Sequence, residues 1–435
     1  MNFVIQPSAI DSGVLTVPGD KSISHRALML AAIADGRTEI KGLLVGDDCI
    51  ATLKALMDMG VRINRTSSSE ATVYGVGLRG LTAPNNHLDL GNSGTSMRLF
   101  SGLLSGQEFS VRLVGDDSLG QRPMARVIKP LNLMGAEIAA YGGTAPLQIS
   151  GGHKLSGIYY RLPVASAQVK SAILLAGLYG TGEVVIEEPS VTRDHTERML
   201  RIMGVNVEQD EGQIRMRGGQ CLSALTIRIP ADLSSASFLI VAATIAGKAK
   251  ITITGVGVNP TRTGIISVLK EMGADISLEN RRLYGEEPVA DITIRSAKLR
   301  GIDVDSKHVS LAIDEFPALF IAAACAEGVT RFSGLEELRV KESDRITAMA
   351  EGLRALNVPV DESEDGATVH GAKIGSGTIH SYSDHRVAMA FAVAGTIAAG
   401  PVTVTDTRNV DTSFPGFVDS FKSMGISMSV TDHSA

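Results

Sequence analysis

The chain has 435 residues, 44% of them hydrophobic, and a formal net charge of −6. This length predicts two or three domains with large cores. The negative charge argues against general binding to nucleic acid or to an anionic membrane surface, so any bound anion must be held by a local cluster of cations.

Three cysteines, Cys49, Cys221 and Cys325, are scattered without a CxxC spacing, and we expect each of them to be a buried apolar residue. The nine histidines show no metal-binding spacing, so we expect no metal site. The segment 1–5 lacks the basic region of a signal peptide, and apolar runs such as 238–246 are too short to span a bilayer. These features indicate a reduced, cytoplasmic protein.

The first strongly marked element is an apolar strand at residues 14–17 that leads through a Pro-Gly turn into a helix. Asp20 or Ser22 can cap this helix, which places Lys21, Ser22 and Arg26 in its first turns. A helix N-terminus offers free N–H groups and a positive dipole, and these side chains add to both. The stretch therefore indicates an anion site, although a capped helix with solvated charges is an equally good interpretation of this stretch alone.

One pattern recurs six times along the chain. Each copy begins with a small-residue apolar helix ending in glycine, at residues 27–36, 98–106, 170–180, 237–247, 317–328 and 386–400. A strand and a second, amphipathic helix follow, and the second helices stop at Met-Gly (59–60, 134–135, 203–204, 272–273, 424–425) or at Leu356-Asn357. Glycine and asparagine both tolerate a left-handed C-cap. Alternating strands are predicted at 61–63, 136–138, 205–207, 274–276, 358–360 and 426–428.

The repeat predicts an α/β protein built from six βαβαββ units with partly parallel sheets. Six units divide naturally into two domains of three. We predict one discontinuous domain from residues 1–17 and 232–435 and a second from 18–231, joined by a short hinge. We expect the active site in the cleft between them, and closure of the domains on substrate.

Polar side chains collect where strands lead into helices. The first-helix openings carry Lys21, Gly94, Arg98, Ser166, Ala167, Gln168, Lys170, Asp232, Asp314, Glu315 and Arg386, and the second-helix entries carry Arg122, Arg193, Arg262, Lys341, Glu342 and Arg345. Cations at helix N-termini oppose the dipole by roughly 0.3–1 kcal/mol each, so a bound anion is inferred to offset them. Solvated loop arginines are the alternative at any single position. Asp314 and Glu342 supply carboxylates that can exchange protons.

Six segments together resemble the 5-enolpyruvylshikimate-3-phosphate synthase family: PGDKSISHR at 18–26, LGNSGTSMR at 90–98, QRPM at 121–124, ASAQVKS at 165–171, RVKESDR at 339–345 and YSDHR at 382–386. The resemblance spans essentially the whole chain. It implies the two-domain enolpyruvyl-transferase fold, with three βαβαββ units per domain around a pseudo-threefold axis. It also implies a transferase of the shikimate pathway to chorismate and aromatic amino acids.

The implied reaction joins phosphoenolpyruvate to the 5-hydroxyl of shikimate 3-phosphate and releases phosphate, without a cofactor and, we expect, in a monomer. By the resemblance, shikimate 3-phosphate contacts Lys21, Ser22, Arg26, Ser166, Ala167, Gln168, Arg193, Asp314 and Lys341. Phosphoenolpyruvate contacts Lys21, Gly94, Arg122, Gln168, Arg345 and Arg386. Asp314 takes the 5-hydroxyl proton, and Glu342 with Lys21 protonates the methylene carbon.

Two other functions are alternatives for this sequence. The sister transferase acting on UDP-N-acetylglucosamine carries a catalytic loop cysteine, but residues 115–122 contain none, and Ser22 stands where an asparagine is expected. A non-catalytic anion-binding repeat protein would have no need of Lys21, Asp314 and Glu342 together. The Ser-Ala-Gln at 166–168 and the absence of a lysine from 411–415 favour the second bacterial branch of the family.

Overall fold

A computed structural model describes residues 1–210 and 212–432 of the chain. The α-helices are α1 (Lys21–Ala32), α2 (Asp47–Asp58), α3 (Gly94–Leu104), α4 (Asp117–Gln121), α5 (Ala125–Leu133), α6 (Ala167–Gly177), α7 (His195–Ile202), α8 (Leu233–Ile245), α9 (Gly264–Glu271), α10 (Val309–Ala312), α11 (Phe316–Ala324), α12 (Arg345–Ala355), α13 (His385–Gly395) and α14 (Phe417–Ser423). Short 3-10 helices cover Tyr141–Gly143, Ser306–His308, Glu336–Val340 and Thr407–Thr412.

The strands are β1 (Asn2–Ile5), β2 (Gly13–Leu15), β3 (Asp35–Lys41), β4 (Arg62–Arg65), β5 (Glu70–Val76), β6 (Leu88–Asp89), β7 (Val111–Val114), β8 (Glu137–Ala140), β9 (Leu147–Ser150), β10 (Tyr159–Arg161), β11 (Glu183–Glu187), β12 (Val207–Asp210), β13 (Gln213–Arg217), β14 (Thr226–Arg228), β15 (Lys250–Gly257), β16 (Asp275–Tyr284), β17 (Glu287–Arg295), β18 (Val329–Phe332), β19 (Val360–Ser363), β20 (Gly366–His370), β21 (Gly377–His380), β22 (Val402–Thr405) and β23 (Met428–Thr431). Helices and strands thus alternate throughout, and the predicted α/β class is confirmed.

The strands of the described residues form six small sheets, and the five four-stranded ones share one topology. The strand orders of the six sheets are β14-β3-β5-β4, β6-β7-β9-β8, β10-β11-β13-β12, β2-β15-β17-β16, β18-β20-β19 and β21-β22-β1-β23. The first pair of each four-stranded sheet is parallel and the next is antiparallel, as in β6-β7 and β7-β9. A parallel pair needs a long crossover, which the buried first helix of each copy provides.

Three copies take a strand from elsewhere in the chain. Strand β14 completes the sheet of the first copy, β2 that of the fourth and β1 that of the sixth. The fifth copy has three strands, with isolated parallel bridges at Asp303–Arg331 and Arg300–Glu327 in the place of the fourth. The expectation of a full βαβαββ unit is therefore wrong for that copy.

The chain divides into two compact units, each with its own hydrophobic core. Unit 1 comprises Met1–Pro18, Pro230–Leu283 and the chain from Pro288 onward. Unit 2 comprises Gly19–Ile229 and the tip of the β16–β17 hairpin, Tyr284–Glu287. Nothing in the sequence pointed to the assignment of that tip.

Each core is built around the first helices of its three copies. In unit 1, α8, α11 and α13 pack against one another, and in unit 2, α3 packs against α6 and α1. All nine residues of α11 are buried. A helix that is apolar on every side must be buried, which explains why these helices are interior and the amphipathic second helices surround them.

The six predicted helix stops are confirmed. The cap residues Met59, Met134, Met203, Met272, Leu356 and Met424 each precede a residue with positive φ, at Gly60, Gly135, Gly204, Gly273, Asn357 and Gly425. The following strands begin one or two residues later than predicted. The first helices end before their predicted glycines: α1 ends at Ala32, and Gly36 already lies in β3.

Gly135 offers a direct stability test of this repeated stop. Its φ is +104°, and an added Cβ would lie 2.7 Å from the Lys154 carbonyl oxygen. Gly135→Ala should lower the free energy of unfolding by about 1–3 kcal/mol, because the strained backbone and the backbone contact act together. Gly247→Ala is the matched control, since it follows a first helix and an added Cβ meets nothing within 4 Å. Equal denaturation midpoints for the two variants would contradict this explanation.

The cysteines differ from expectation. Cys49 is buried, but Cys325 is half-buried and Cys221 is exposed, so Cys221 is not a core residue. Burial raises the pKa of the Cys325 thiol to about 12, which keeps it protonated. Among the described residues, none of the helices combines the length and apolar character that a membrane crossing needs.

Candidate active site

Lys21 opens α1, directly after the capping residue. The Asp20 carboxylate accepts from the Ile23 backbone N–H at 2.8 Å, so Asp20 rather than Ser22 is the cap. Lys21 Nζ lies 3.0 Å from Asp48 Oδ2, and its side chain is 16% exposed. Asp48 lies in the first turn of α2, 27 residues further on, and sequence reasoning missed it because no local pattern links the two positions. The pair orients Lys21 and leaves part of its side chain accessible.

Arg26 lies one turn further into α1 and is 3% exposed. Its guanidinium donates from Nε to the Thr196 hydroxyl at 2.7 Å, from Nη2 to the Ser171 hydroxyl at 2.7 Å and from Nη1 to the Ser22 carbonyl at 2.9 Å. Within the described residues Arg26 makes no ion pair, and its three hydrogen-bond acceptors are neutral oxygens. Burial lowers its pKa to about 10, while the more distant Glu197 carboxylate opposes that shift. A buried guanidinium in this state is suited to an anion.

His25 joins the helices on which these groups lie. Its Nδ1 lies 2.8 Å from the Thr52 hydroxyl of α2 and 3.3 Å from the Ser96 hydroxyl of α3. Burial, with Lys21 and Arg26 as further causes, lowers the His25 pKa to about 3, so the ring is neutral. The residue is therefore a structural link between helices and does not belong to a nucleophilic triad.

Two further helix openings converge in unit 2. Gln168, in the first turn of α6, accepts from Arg98 Nη1 at 2.6 Å and donates to the Thr95 hydroxyl at 2.9 Å. Both partners lie on α3. Ser166 caps α6 by accepting from the Val169 N–H, and Ala167 is the first residue of the helix. The Ser-Ala-Gln motif is thus fixed against the opening of α3.

Arg122 lies at the C-terminal end of α4 and is 8% exposed. Its Nη2 donates to the Asn92 side-chain oxygen at 2.6 Å. An added Cβ at Gly94 would lie 2.9 Å from Arg98 Nη1 and 3.2 Å from Arg122 Nη1. Gly94 therefore leaves space between two guanidinium groups at a helix N-terminus.

Gly94→Ala should displace those guanidinium groups, because the methyl group is closer to both than van der Waals contact permits. If phosphoenolpyruvate binds at the α3 opening, as the family resemblance implies, its KM should rise about tenfold, while the KM for shikimate 3-phosphate changes less. Steady-state kinetics with each substrate varied would measure this. Gly91→Ala is not a suitable control because Gly91 has a positive φ. Gly120→Ala is suitable, because a Cβ added at Gly120 would meet nothing within 4 Å. An unchanged KM for phosphoenolpyruvate would show that Gly94 lines no part of its site.

In unit 1, Arg345 opens α12 and is 1% exposed. It donates to Asp384 at 2.8 Å, to Glu342 at 2.6 Å and to Asp314 at 3.5 Å. Although burial opposes its charge, the Asp384, Glu342 and Asp314 carboxylates raise the Arg345 pKa. The chain's own carboxylates therefore already offset the charge of Arg345, and the inferred bound anion stays a prediction for this residue.

Arg386 and Lys341 complete this cluster. Arg386 Nη1 donates to the Asp314 carbonyl at 3.0 Å, and its Nη2 lies 3.6 Å from the Asp314 carboxylate. Burial, together with nearby Arg345, lowers the Lys341 pKa, and the Asp314 carboxylate opposes that shift. Asp314 thus lies between Arg345 and Arg386, and its carboxylate also acts on Lys341.

Asp314 does not open its helix as the sequence suggested. The N-cap of α11 is Glu315, and Asp314 lies one residue earlier, so the cations around it rather than the helix dipole dominate its environment. Arg262, also named in the sequence, pairs with Asp232 and Glu315 at 3.4 and 3.5 Å. It is therefore a buried structural cation of unit 1.

The structure brings the predicted residues together in two groups. In unit 2, Lys21, Ser22 and Arg26 share one helix end, Gly94, Arg122 and Gln168 share the α3 opening, and Arg193 is a half-buried residue of the loop before α7. In unit 1, Asp314, Lys341, Glu342, Arg345 and Arg386 form the second group. Among the described residues there is no cluster of three side chains suited to a metal ion.

Comparison with known proteins identifies the family of this chain. A family model described as EPSP synthase (3-phosphoshikimate 1-carboxyvinyltransferase) matches residues 5–421. The chain belongs to the EPSP synthase family. A 3-phosphoshikimate 1-carboxyvinyltransferase from Alkalilimnicola ehrlichii is 54% identical over 99% of this chain and 97% of its own length. One from Xanthomonas campestris pv. campestris is 53% identical over 98% of each chain.

Solved structures agree with this membership. An EPSP synthase structure from Acinetobacter baumannii superposes with a TM-score of 0.88 at 50% identity, covering 99% of this chain and 100% of the other. The enolpyruvyl transferase NikO from Streptomyces tendae reaches a TM-score of 0.80 at 16% identity, covering 98% of each chain. At that identity the second likeness shows the shared fold alone. The predicted EPSP synthase family membership and its fold are confirmed.

Proposed function

We propose that the protein transfers the enolpyruvyl group of phosphoenolpyruvate to the 5-hydroxyl of shikimate 3-phosphate and releases phosphate. The observation that carries the proposal is family membership over residues 5–421, with relatives of that name above 50% identity. The proposal places the enzyme in the cytoplasm, in the shikimate pathway to aromatic amino acids.

The charges of both residue groups suit these substrates. The two molecules carry two phosphates and two carboxylates. Unit 2 offers Lys21 and Arg26 on the first turns of α1, and Arg122, whose guanidinium lies beside Gly94 at the opening of α3. Arg26 supports a phosphate or carboxylate ligand best, because its partners are neutral oxygens that leave its charge uncompensated at close range. As the sequence predicts, we assign Ser22, Ser166, Ala167, Gln168 and Arg193 to the same phosphorylated substrate.

Unit 1 offers the groups for proton transfer. In the proposed mechanism the Asp314 carboxylate accepts the 5-hydroxyl proton as that oxygen bonds to C2 of phosphoenolpyruvate. A proton is added at C3, which gives a tetrahedral adduct. Loss of a proton from C3 and of phosphate from C2 then forms the product. Lys341, Arg345 and Arg386 surround Asp314 and can stabilise the negative charge that develops.

Glu342 is the proposed acid at C3, and its environment sets a condition. Arg345 donates to it at 2.6 Å, and an opposite charge favours a carboxylate over the acid. Glu342 must therefore receive its proton before it can give it, and Lys21 or water is the proposed source.

A phosphate-release assay tests the function. The protein should release phosphate when phosphoenolpyruvate and shikimate 3-phosphate are both present, and mass spectrometry should detect the enolpyruvyl ether. Release with UDP-N-acetylglucosamine instead would favour the sister transferase. No release with either acceptor, from a folded protein that still binds shikimate 3-phosphate, would favour a non-catalytic binding protein.

A further inference from the structure

Lys170 lies near Ser166 and Gln168 at the opening of α6, but its ammonium group pairs with two carboxylates of the chain. Its side chain is fully buried, and its Nζ lies 2.7 Å from Glu197 Oε1 and 3.0 Å from Glu188 Oε2. Glu197 is also fully buried, and the Glu188 side chain is 2% exposed. We call Lys170, Glu188 and Glu197 the buried triad.

The triad connects three separate segments of unit 2. Lys170 lies in α6, Glu197 in α7, and Glu188 follows β11. The Lys170 Nζ also approaches the Thr192 carbonyl at 3.5 Å, just before the loop that carries Arg193. Because burying charged groups is costly, a triad with this degree of burial must be held in a fixed geometry.

The residues next to the triad are the ones that hold Arg26. Ser171 follows Lys170 and Thr196 precedes Glu197, and their hydroxyl oxygens lie 2.7 Å apart. Arg26 donates to each of these hydroxyls at 2.7 Å. Ser171 in turn donates to the Ala167 carbonyl at 2.6 Å, so the clamp on Arg26 also reaches the opening of α6.

The charges of the buried triad also connect it to Arg26. The triad carries one positive and two negative charges, so its excess negative charge balances Arg26 without a direct ion pair. Glu197 acts on Arg26 through space, while neutral hydroxyls occupy the guanidinium N–H groups on that side. A carboxylate in direct contact would instead occupy the donors that a substrate anion needs.

We propose that the buried triad, acting through Thr196 and Ser171, positions Arg26 for the phosphorylated acceptor substrate. This inference rests on the proposed function, and it makes Lys170, Glu188, Glu197, Ser171 and Thr196 positioning residues rather than catalytic ones. Their role is to fix the direction of the guanidinium and to supply its counter-charge from a distance.

Thr196→Val tests the link to Arg26. Valine keeps the shape and removes the hydroxyl, so the Kd for shikimate 3-phosphate measured by calorimetry should rise about tenfold or more. The KM for phosphoenolpyruvate should stay within about twofold. Thr38→Val is the matched control, because Thr38 is equally buried in unit 2 and its hydroxyl bonds to no described side chain; its Kd should equal that of the unchanged protein.

Lys170→Met tests the triad itself. It leaves two buried carboxylates without their cation, which both loosens the clamp and adds uncompensated negative charge near Arg26. The Kd for shikimate 3-phosphate should rise more than in Thr196→Val. Adding Glu188→Gln to Lys170→Met removes one of those charges and should recover part of the lost affinity.

The outcomes separate the two proposals. If the unchanged protein does not bind shikimate 3-phosphate, the proposed function and this inference both fail. If it binds, and folded Thr196→Val has the Kd of Thr38→Val, the positioning role is overturned. The same holds if Lys170→Met folds and binds normally, or if Glu188→Gln gives no recovery. Should Lys170→Met fail to fold, Thr196→Val alone decides the question.

Discussion

Replacing Lys21 by alanine should reduce turnover by about 100- to 1,000-fold or more while the protein stays folded. A fixed cation aimed at developing charge contributes this much in a closed, preorganised site. Lys21 fits that description because Asp48 holds its ammonium group at 3.0 Å, and because the side chain keeps 16% exposure. Its loss leaves the largely buried Asp48 carboxylate without this cation, so the variant should be folded but less stable.

Steady-state phosphate release and thermal unfolding together measure the effect. Lys54→Ala is the matched control, since Lys54 lies on α2 with Asp48 but is exposed. That variant should turn over normally. Near-normal turnover in Lys21→Ala would remove Lys21 from the catalytic group, and loss of the unfolding transition would show that its role is structural.

Asp314→Asn should abolish formation of the tetrahedral adduct, because an amide cannot accept the 5-hydroxyl proton. The substitution keeps the size of the side chain, but an amide has one acceptor oxygen, so only one of the contacts with Arg345 and Arg386 can remain. A loss of about 100- to 10,000-fold is typical when a general base is removed. Rapid quenching followed by mass spectrometry should detect the adduct in the unchanged protein and not in this variant.

Glu342→Gln should show a different defect. In deuterated water, deuterium enters the methylene carbon through the acid that protonates it. Glu342→Gln should therefore lower the rate of deuterium entry by a larger factor than it changes the binding of either substrate. Asp305→Asn serves as the control for both variants, since Asp305 is an exposed carboxylate of unit 1. Label entry at the unchanged rate would require another acid at C3, and adduct formation by Asp314→Asn would require another base.

The sequence predicted those features of the fold that depend on neighbouring residues. The six left-handed helix stops could be read directly, because a Met-Gly or Leu-Asn pair after an amphipathic stretch has few other structural meanings. Strand starts were displaced by one or two residues, since pairing with a partner strand, rather than the apolar pattern, decides where a strand begins.

The sequence predicted which residues belong to the candidate site better than it predicted the contacts that these residues make. Asp48 reaches Lys21 across 27 residues, and Glu197 reaches Lys170 from a different helix. Such pairs depend on how the helices pack against one another, and the spacing of residues along the chain does not reveal that packing. Lys170 shows the consequence: in the sequence it has the same position as a ligand-binding cation, and in the fold it is buried between two carboxylates.

The pairing of β1 with β22 and β23 has a consequence for how the protein is made. Strand β1 is synthesised first, yet its partner β23 emerges from the ribosome about 420 residues later, roughly 20–80 s at ~5–20 residues per second. Residues 19–229 of unit 2 are complete long before then. Nascent chains should therefore carry a folded unit 2 while the first strand waits, unpaired, for the last one to arrive.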